Sequence, residues 1–290
     1  MLAIIAPGQG SQTPGMFNSW VSNPVFHELL SKWSMRIDVD LIRLGTTADA
    51  DEIKDTANAQ PLIVAASLLG ARALGIKNFS FTSGHSVGEL AAAALSGAIS
   101  DEDALRLVRA RGLEMAKAAA LSPAGMSAVL GGDREIVLKK LNELHLVAAN
   151  DNGGGQIVAA GDLAALAALS ENPPEGARVR ALAVAGAFHT AFMTPAVEPL
   201  RTLAATISTT PTTISVISNK DGEVVTDGAQ VLTRIVNQIA NPVRWDLCME
   251  TMKKLGITGV IELPPAGTLV GLLKRGAPEI ETFALKSADD

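Results

Sequence analysis

The chain has 290 residues, is 48% hydrophobic and 19% charged, and carries a net charge of −6. This is enough for a sizeable core in one large or two smaller domains, and the acidic balance gives no bulk signal for nucleic acid. A single cysteine, Cys248, excludes an internal disulfide, fits a reducing cytoplasm, and leaves no Cys/His cluster with zinc spacing.

In chain order, Leu2 to Ala6 reads as a first strand, since the apolar opening lacks a basic leader and is too short for a signal segment. The longest charge-free runs contain Asn, Gln or Pro, so no membrane span is expected. The loop Pro7-Gly8-Gln9-Gly10-Ser11-Gln12 follows the strand. A dinucleotide fingerprint would need glycine where Thr13 stands, so that reading fails. Gln9 at a strand's C-terminal end either presents polar groups to a reacting centre or sits in a turn without function. Asn58 to Leu74 and Glu102 to Ala120 read as helices, and Ser215 to Ser218 and Gly259 to Leu263 as later strands. The alternation predicts an α/β protein with a mainly parallel sheet.

Between the two helices lies Gly84-His85-Ser86-Val87-Gly88, of the form G-x-S-x-G. A β-leaning run, Phe79 to Thr82, precedes it and an alanine-rich helical run, Glu89 to Ala94, follows. Strand, sharp turn and helix are the context of a nucleophile elbow, with the positive helix end behind Ser86 favouring a developing anion. The same residues read as S-x-x-E, a capping box in which Ser86 does no chemistry.

Arg111 is unusual in the second helix. Arg106, Arg109 and Lys117 share a polar face with Glu102, whereas Arg111 falls with Leu107, Val108, Met115 and Ala118 on an apolar stripe. A buried guanidinium needs an anion, either an internal carboxylate or one carried by a substrate.

The block from Ala124 to Ala187 reads differently. Met126 to Leu130, Leu146 to Ala149, Gln156 to Ala159 and Val179 to Val184 read as strands, with helices from Asp133 to Leu144 and from Asp162 through Leu169. The order β-α-β-β-α-β is a ferredoxin-like unit. It predicts a small domain, 124–187, inserted into a large α/β domain formed by 1–123 and 188–290, with chain crossings near Ser122-Pro123 and Gly186.

A serine nucleophile needs a base. His27 reads as an exposed helix residue, His145 as a helix-end residue, and His85 adjoins Ser86 and points elsewhere. His189, where the chain re-enters the large domain, is either that base or a structural histidine. Asp101, Asp103, Asp133, Asp151 and Asp162 each read as a cap or loop residue, so no triad acid announces itself; a backbone carbonyl is the alternative partner.

Together these segments resemble the malonyl-CoA:acyl carrier protein transacylases of fatty acid synthesis, from the first strand to about Arg275. The resemblance is carried by Pro7 to Gln12, Ala59-Gln60-Pro61, Gly84 to Glu89, Arg111-Gly112 with Met115, Gly125-Met126, Asn150-Asp151-Asn152 with Gln156, Phe188-His189, Asn241 to Trp245, and Glu262 through Leu269. It implies an α/β-hydrolase-like large domain and acyl transfer from malonyl-CoA through an acyl ester on Ser86, with His189 as general base and acid. Gln9 and the Val87 N–H would form the oxyanion hole, and Arg111 would bind the malonyl carboxylate. Gln60, His85, Met115 and Phe188 would line the substrate site, and the carbonyl of Gln238 would orient His189. Phe188 matches a malonyl-preferring form, because its ring would crowd a branched acyl group. The implied acceptor is an acyl carrier protein of fatty acid or polyketide assembly, met by a local basic patch for which Arg178, Arg180, Lys274 and Arg275 are candidates. No metal or cofactor, a cytoplasmic location and a monomer are expected. One departure is Glu262-Leu263-Pro264-Pro265-Ala266 where the family commonly has Glu-x-Gly-Pro-Gly, so a different loop path is expected there. A thioesterase or esterase, and a non-catalytic binding module, are the rival readings.

Overall fold

The computed structural model describes residues 1–75 and 77–290. Its strands are β1 (Leu2–Ala6), β2 (Phe81–Gly84), β3 (Ala124–Gly131), β4 (Val147–Asp151), β5 (Gln156–Asp162), β6 (Ala177–Ala181), β7 (Ser215–Ile217), β8 (Val224–Val225), β9 (Val243–Arg244), β10 (Gly259–Glu262) and β11 (Glu281–Ala284). They form a six-stranded sheet in the order β11-β10-β1-β2-β7-β8 and a five-stranded sheet in the order β6-β3-β5-β4-β9. In the first sheet β11, β10, β1, β2 and β7 run parallel and only β8 is antiparallel. In the second, β6, β3, β5 and β4 pair antiparallel and β9 joins β4 in parallel.

The first sheet is buried on both faces, which is why its central strand reads Ala3-Ile4-Ile5-Ala6 without alternation. Helix Thr56–Leu74, buried from Ala59 to Gly70, packs beside helix Asp101–Ala119. The second helix opens on Ser100, whose hydroxyl accepts from Asp103 N–H, with Asp101, Glu102 and Asp103 in its first turn against the positive helix end. Gly112 lets the two helices touch: a Cβ there would lie 2.8 Å from Thr56 O. Arg111 is thereby brought against the first helix, and it is buried with Leu107, Val108, Met115 and Ala118, as the stripe predicts.

The second sheet has a separate small core on one face, where Val129, Ile157 and Ala159 meet Val137 and Leu141 of helix Arg134–Glu143 and Leu166 and Leu169 of helix Leu163–Glu171. Met126 and Val158 face the main core instead. Two differences from the sequence reading concern this sheet. The last strand of the block ends at Ala181; the Leu182 N–H still donates to Met126 O, and Val184 lies beyond the strand. The two-residue β9, from the chain after residue 188, adds a fifth strand beside β4. No helix among the described residues is long and apolar enough to cross a membrane.

Candidate functional site

The C-terminal ends of β1 and β2 place the opening loop next to the G-x-S-x-G turn. A Cβ on Gly84 would run into the backbone of Gly88, and one on Gly88 into the carbonyl of Ala6, so both glycines are required by close approach. Ser86 between them has φ +52°, an uncommon and strained conformation for a residue with a side chain. Helix Gly88–Leu95 begins directly behind it. The capping-box alternative does not match the geometry. The helix has no side-chain cap, the Ser86 hydroxyl faces His189, and the Glu89 carboxylate turns inward.

The Ser86 hydroxyl lies 2.7 Å from His189 Nε2, and His189 Nδ1 lies 2.8 Å from the carbonyl oxygen of Gln238. Because that carbonyl can only accept, Nδ1 carries the proton and Nε2 presents its lone pair to the serine O–H. His189 also has positive φ, +62°, and its N–H donates to Ile239 O. Burial, then the nearby Arg111 charge, push its pKa down to about 3, so the imidazole is neutral and its Nε2 lone pair is free to face the serine hydroxyl.

Arg111 is 1% exposed. Its Nη1 donates to Gln60 Oε1 at 2.7 Å, and its Nη2 to Gln238 Oε1 at 3.0 Å and to Ser86 Oγ at 3.3 Å. All three acceptors are neutral, and Nε has no partner among the described residues. Burial lowers its pKa to about 10, partly opposed by the charge of Glu89, so it remains a cation at neutral pH.

These groups open onto a cleft of about 180 Å³ between the two sheets. Of the ten residues the sequence singles out, seven line it: Gln9, Gln60, His85, Ser86, Met115, Phe188 and His189. Arg111, Gln238 and Val87 stand just behind. Gln9 Nε2 donates to Thr56 Oγ1 at 3.2 Å, and its Oε1 accepts from Gln60 Nε2 at 3.4 Å. Among the described residues neither the Gln9 nor the Val87 backbone N–H has an acceptor. His85 turns away from Ser86: its Nε2 meets Asn152 Oδ1 at 2.8 Å and its ring stacks edge-on against the buried Trp245. Burial lowers the pKa of His85, favouring a neutral ring that donates to Asn152. The five-stranded sheet supplies the opposite wall through Met126, Asn150, Asn152, Gln156 and Val158. The proline-containing departure stands off the cleft. Pro264 O accepts from Ser67 Oγ, and Glu262 accepts from the N–H groups of Gly267, Leu269 and Val270, capping helix Thr268–Gly276, whose Thr268, Leu269 and Leu272 reach the cleft.

Two residues here are not evident in the sequence. Asn219, in a turn after β7, straddles the elbow: Oδ1 accepts Ser86 N–H at 2.8 Å while Nδ2 donates to Gly84 O at 2.7 Å. Glu89, which the sequence offers as the end of a possible capping box, accepts from Asn219 N–H at 2.6 Å and Gln238 Nε2 at 2.7 Å. Ser218-Asn219-Lys220-Asp221-Gly222 carries only a turn signal. Among the described residues no group of three or more His, Cys, Asp or Glu is placed to hold a metal ion.

The family model of the acyl transferase domain matches residues 4–287. A malonyl CoA-acyl carrier protein transacylase of Mycobacterium tuberculosis is 51% identical over 295 residues, covering 100% of this chain and 98% of that protein. The chain belongs to this transacylase family. An Escherichia coli member is 32% identical over 293 residues, covering 98% and 95% of the two chains. The crystal structure of MCAT from Mycobacterium tuberculosis matches the fold with a TM-score of 0.96 at 51% identity, covering 100% of this chain and 98% of that one. A type II PKS acyl-carrier protein in complex with its malonyl-transacylase matches at 0.91 and 29% identity, covering 99% and 96%. Membership makes this chain an acyltransferase.

Proposed function

We propose that this chain transfers a malonyl group from malonyl-CoA to the phosphopantetheine thiol of an acyl carrier protein through a malonyl ester on Ser86. His189 Nε2 takes the serine proton as Oγ attacks the thioester carbonyl, and the N–H groups at Gln9 and Val87 receive the oxyanion. Collapse breaks the C–S bond, and the imidazolium protonates the departing coenzyme A thiolate. In the second half the carrier thiol gives its proton to His189 and attacks the ester, and Ser86 leaves and is reprotonated. No cofactor enters either half.

The observation that carries this reading is the buried Arg111 guanidinium beside Ser86 Oγ, held only by neutral acceptors. A malonyl carboxylate supplies the missing anion. It also offsets the charge that depresses His189, so binding of the correct acyl group strengthens the base. Phe188, buried in the cleft wall, supports a preference for unbranched malonyl. The strand order β6-β3-β5-β4 supports reading 124–187 as a ferredoxin-like lobe set into an α/β-hydrolase-like lobe of 1–123 and 188–290, with the cleft at their junction.

Intact-mass spectrometry tests the proposal. Malonyl-CoA alone should add one malonyl group, and a loaded carrier protein should then remove it. Release of free malonate at the same rate without a thiol acceptor would identify a hydrolase instead.

A further inference from the structure

A buried carboxylate stands behind the site and touches neither Ser86 Oγ nor His189. Glu89, 2% exposed, accepts from Asn219 N–H through Oε1 and from Gln238 Nε2 through Oε2. A backbone N–H cannot be exchanged for an acceptor, so Oε1 is committed. With the carboxylate ionised, Oε2 accepts as well, and Gln238 turns its NH2 group toward Glu89, the shortest of three contacts of that group, which also lies 3.1 Å from Asn219 Oδ1 and 3.3 Å from Ser86 O. Its Oε1 then faces Arg111 Nη2 at 3.0 Å. The Gln238 amide therefore stands between a buried anion and a buried cation. Among the described residues the two charges form no direct pair.

We propose that Glu89 is a positioning residue for acyl-group selection: by fixing the orientation of the Gln238 amide it keeps Arg111 aimed at Ser86 without occupying the guanidinium. The inference rests on the reading that Arg111 receives the malonyl carboxylate. A direct Glu–Arg pair would be bidentate and strong, and would compete with that carboxylate. A guanidinium with no anion nearby would be costly to bury. The amide bridge meets both demands. Glu89 also reaches Ser86 through Asn219, and His189 through the residue whose carbonyl holds it. Its loss therefore lowers every rate to some extent, and the specific signature is a ratio.

That ratio is kcat/KM for malonyl-CoA over kcat/KM for acetyl-CoA, which has no carboxylate. In Glu89→Gln the new carboxamide oxygen is taken by Asn219 N–H, so its NH2 opposes that of Gln238. Gln238 is either pushed aside or turned over against Asn219 Oδ1 and Ser86 O, and in both cases Arg111 Nη2 loses its acceptor. The ratio should fall about ten- to a hundredfold, the worth of one charged hydrogen bond, with any general loss common to both substrates. The double variant Glu89→Gln/Gln238→Glu restores the net charge and the match between positions 89 and 238, but turns a carboxylate oxygen toward Asn219 Oδ1 and Ser86 O and sets the carboxylate directly on Arg111. Its ratio should stay low. An unchanged ratio in Glu89→Gln, or a ratio that recovers in the double variant, overturns the proposal.

A third measurement needs no variant. Burial pushes Glu89 up to about 7. The groups facing it are Arg111, Arg234, Asp221 and Cys248. Burial pushes the Cys248 thiol up, and His189 beyond Gln238 is held neutral down to about 3, so neither titrates near neutrality. Protonation of Glu89 replaces the charged acceptor by a neutral carboxyl group and weakens its hold on the Gln238 NH2 group. The wild-type ratio should therefore rise with pH through about 7, and a flat or falling ratio overturns the proposal. Failure of the wild type to form a malonyl ester, read by intact mass, is a separate result that removes the functional reading and this proposal together.

Discussion

The two sheets face one cleft and contribute different things to it. At the ends of β1, β2 and β7 the side chains around Ser86 are buried and held by fixed protein partners, from Asn219 under the elbow to Gln238 behind His189. The five-stranded sheet offers a wall of Met126, Val158 and Gln156 and, further out, exposed Arg178 and Arg180 on β6. On the proposed function, one side fixes geometry where bonds change and the other shapes what approaches. Substitutions on the first should alter chemistry, and those on the second should alter encounter.

Ser86→Ala is the most severe way to test the first half of that division. It should abolish the malonyl adduct and all transfer, with the fold intact by circular dichroism. An adduct surviving in Ser86→Ala would move the chemistry elsewhere.

Arg111→Ala comes next. One charged hydrogen bond contributes roughly 1.5–3 kcal/mol, so kcat/KM for malonyl-CoA should drop by about one to two decades. Acetyl-CoA should be used as well as before or better, since the buried cation is gone. Equal losses on both thioesters would mean that Arg111 only supports the fold.

Arg111 was legible because helical periodicity is local: its position relative to Leu107, Val108 and Met115 follows from 100° per residue. The elbow was legible for the same reason, as strand, turn and helix are contiguous. Asn219 was not, because its partners Gly84 and Ser86 lie more than a hundred residues away and a turn asparagine normally bonds its own backbone. The inward role of Glu89 was not legible, because S-x-x-E offers it only as the end of a possible capping box and says nothing of a carboxylate drawn inward by Asn219 and Gln238. Strand β9 escaped for want of length: two residues carry no period, and only their pairing with Asn150 and Asp151 makes them a strand.

Asn219→Ala measures how firmly the first region is fixed. It leaves Ser86 N–H and Gly84 O without their side-chain partner, each costing about 1–3 kcal/mol when buried. Urea unfolding should show a loss of about 2–6 kcal/mol, together with slower acylation of Ser86. Full stability with unchanged acylation would show that the elbow holds its strained φ unaided.

The smallest effect belongs to the outer wall. Register places Arg178 opposite Leu130, which also pairs with Gln156, and Arg180 opposite Ala128, which also pairs with Val158. Directly opposed residues share a sheet face, so both arginines project on the side of Gln156 and Val158, the cleft side. Arg275 reaches the same rim, where its Nη2 donates to Gln156 Oε1 at 3.0 Å, with Lys274 exposed beside it. In a chain of net charge −6 this is local positive charge at the cleft mouth, suited to steering an acidic carrier protein. Steering by exposed charge is screened within about 8–10 Å at physiological salt. Transfer to the carrier protein should therefore weaken several-fold between low and physiological salt, more than transfer to a small neutral thiol. Arg178→Ala/Arg180→Ala should flatten that difference and leave the rate of Ser86 acylation by malonyl-CoA nearly unchanged. Equal salt dependence for both acceptors would put the encounter surface elsewhere, and a slowed acylation would show that the rim serves the donor thioester rather than the acceptor.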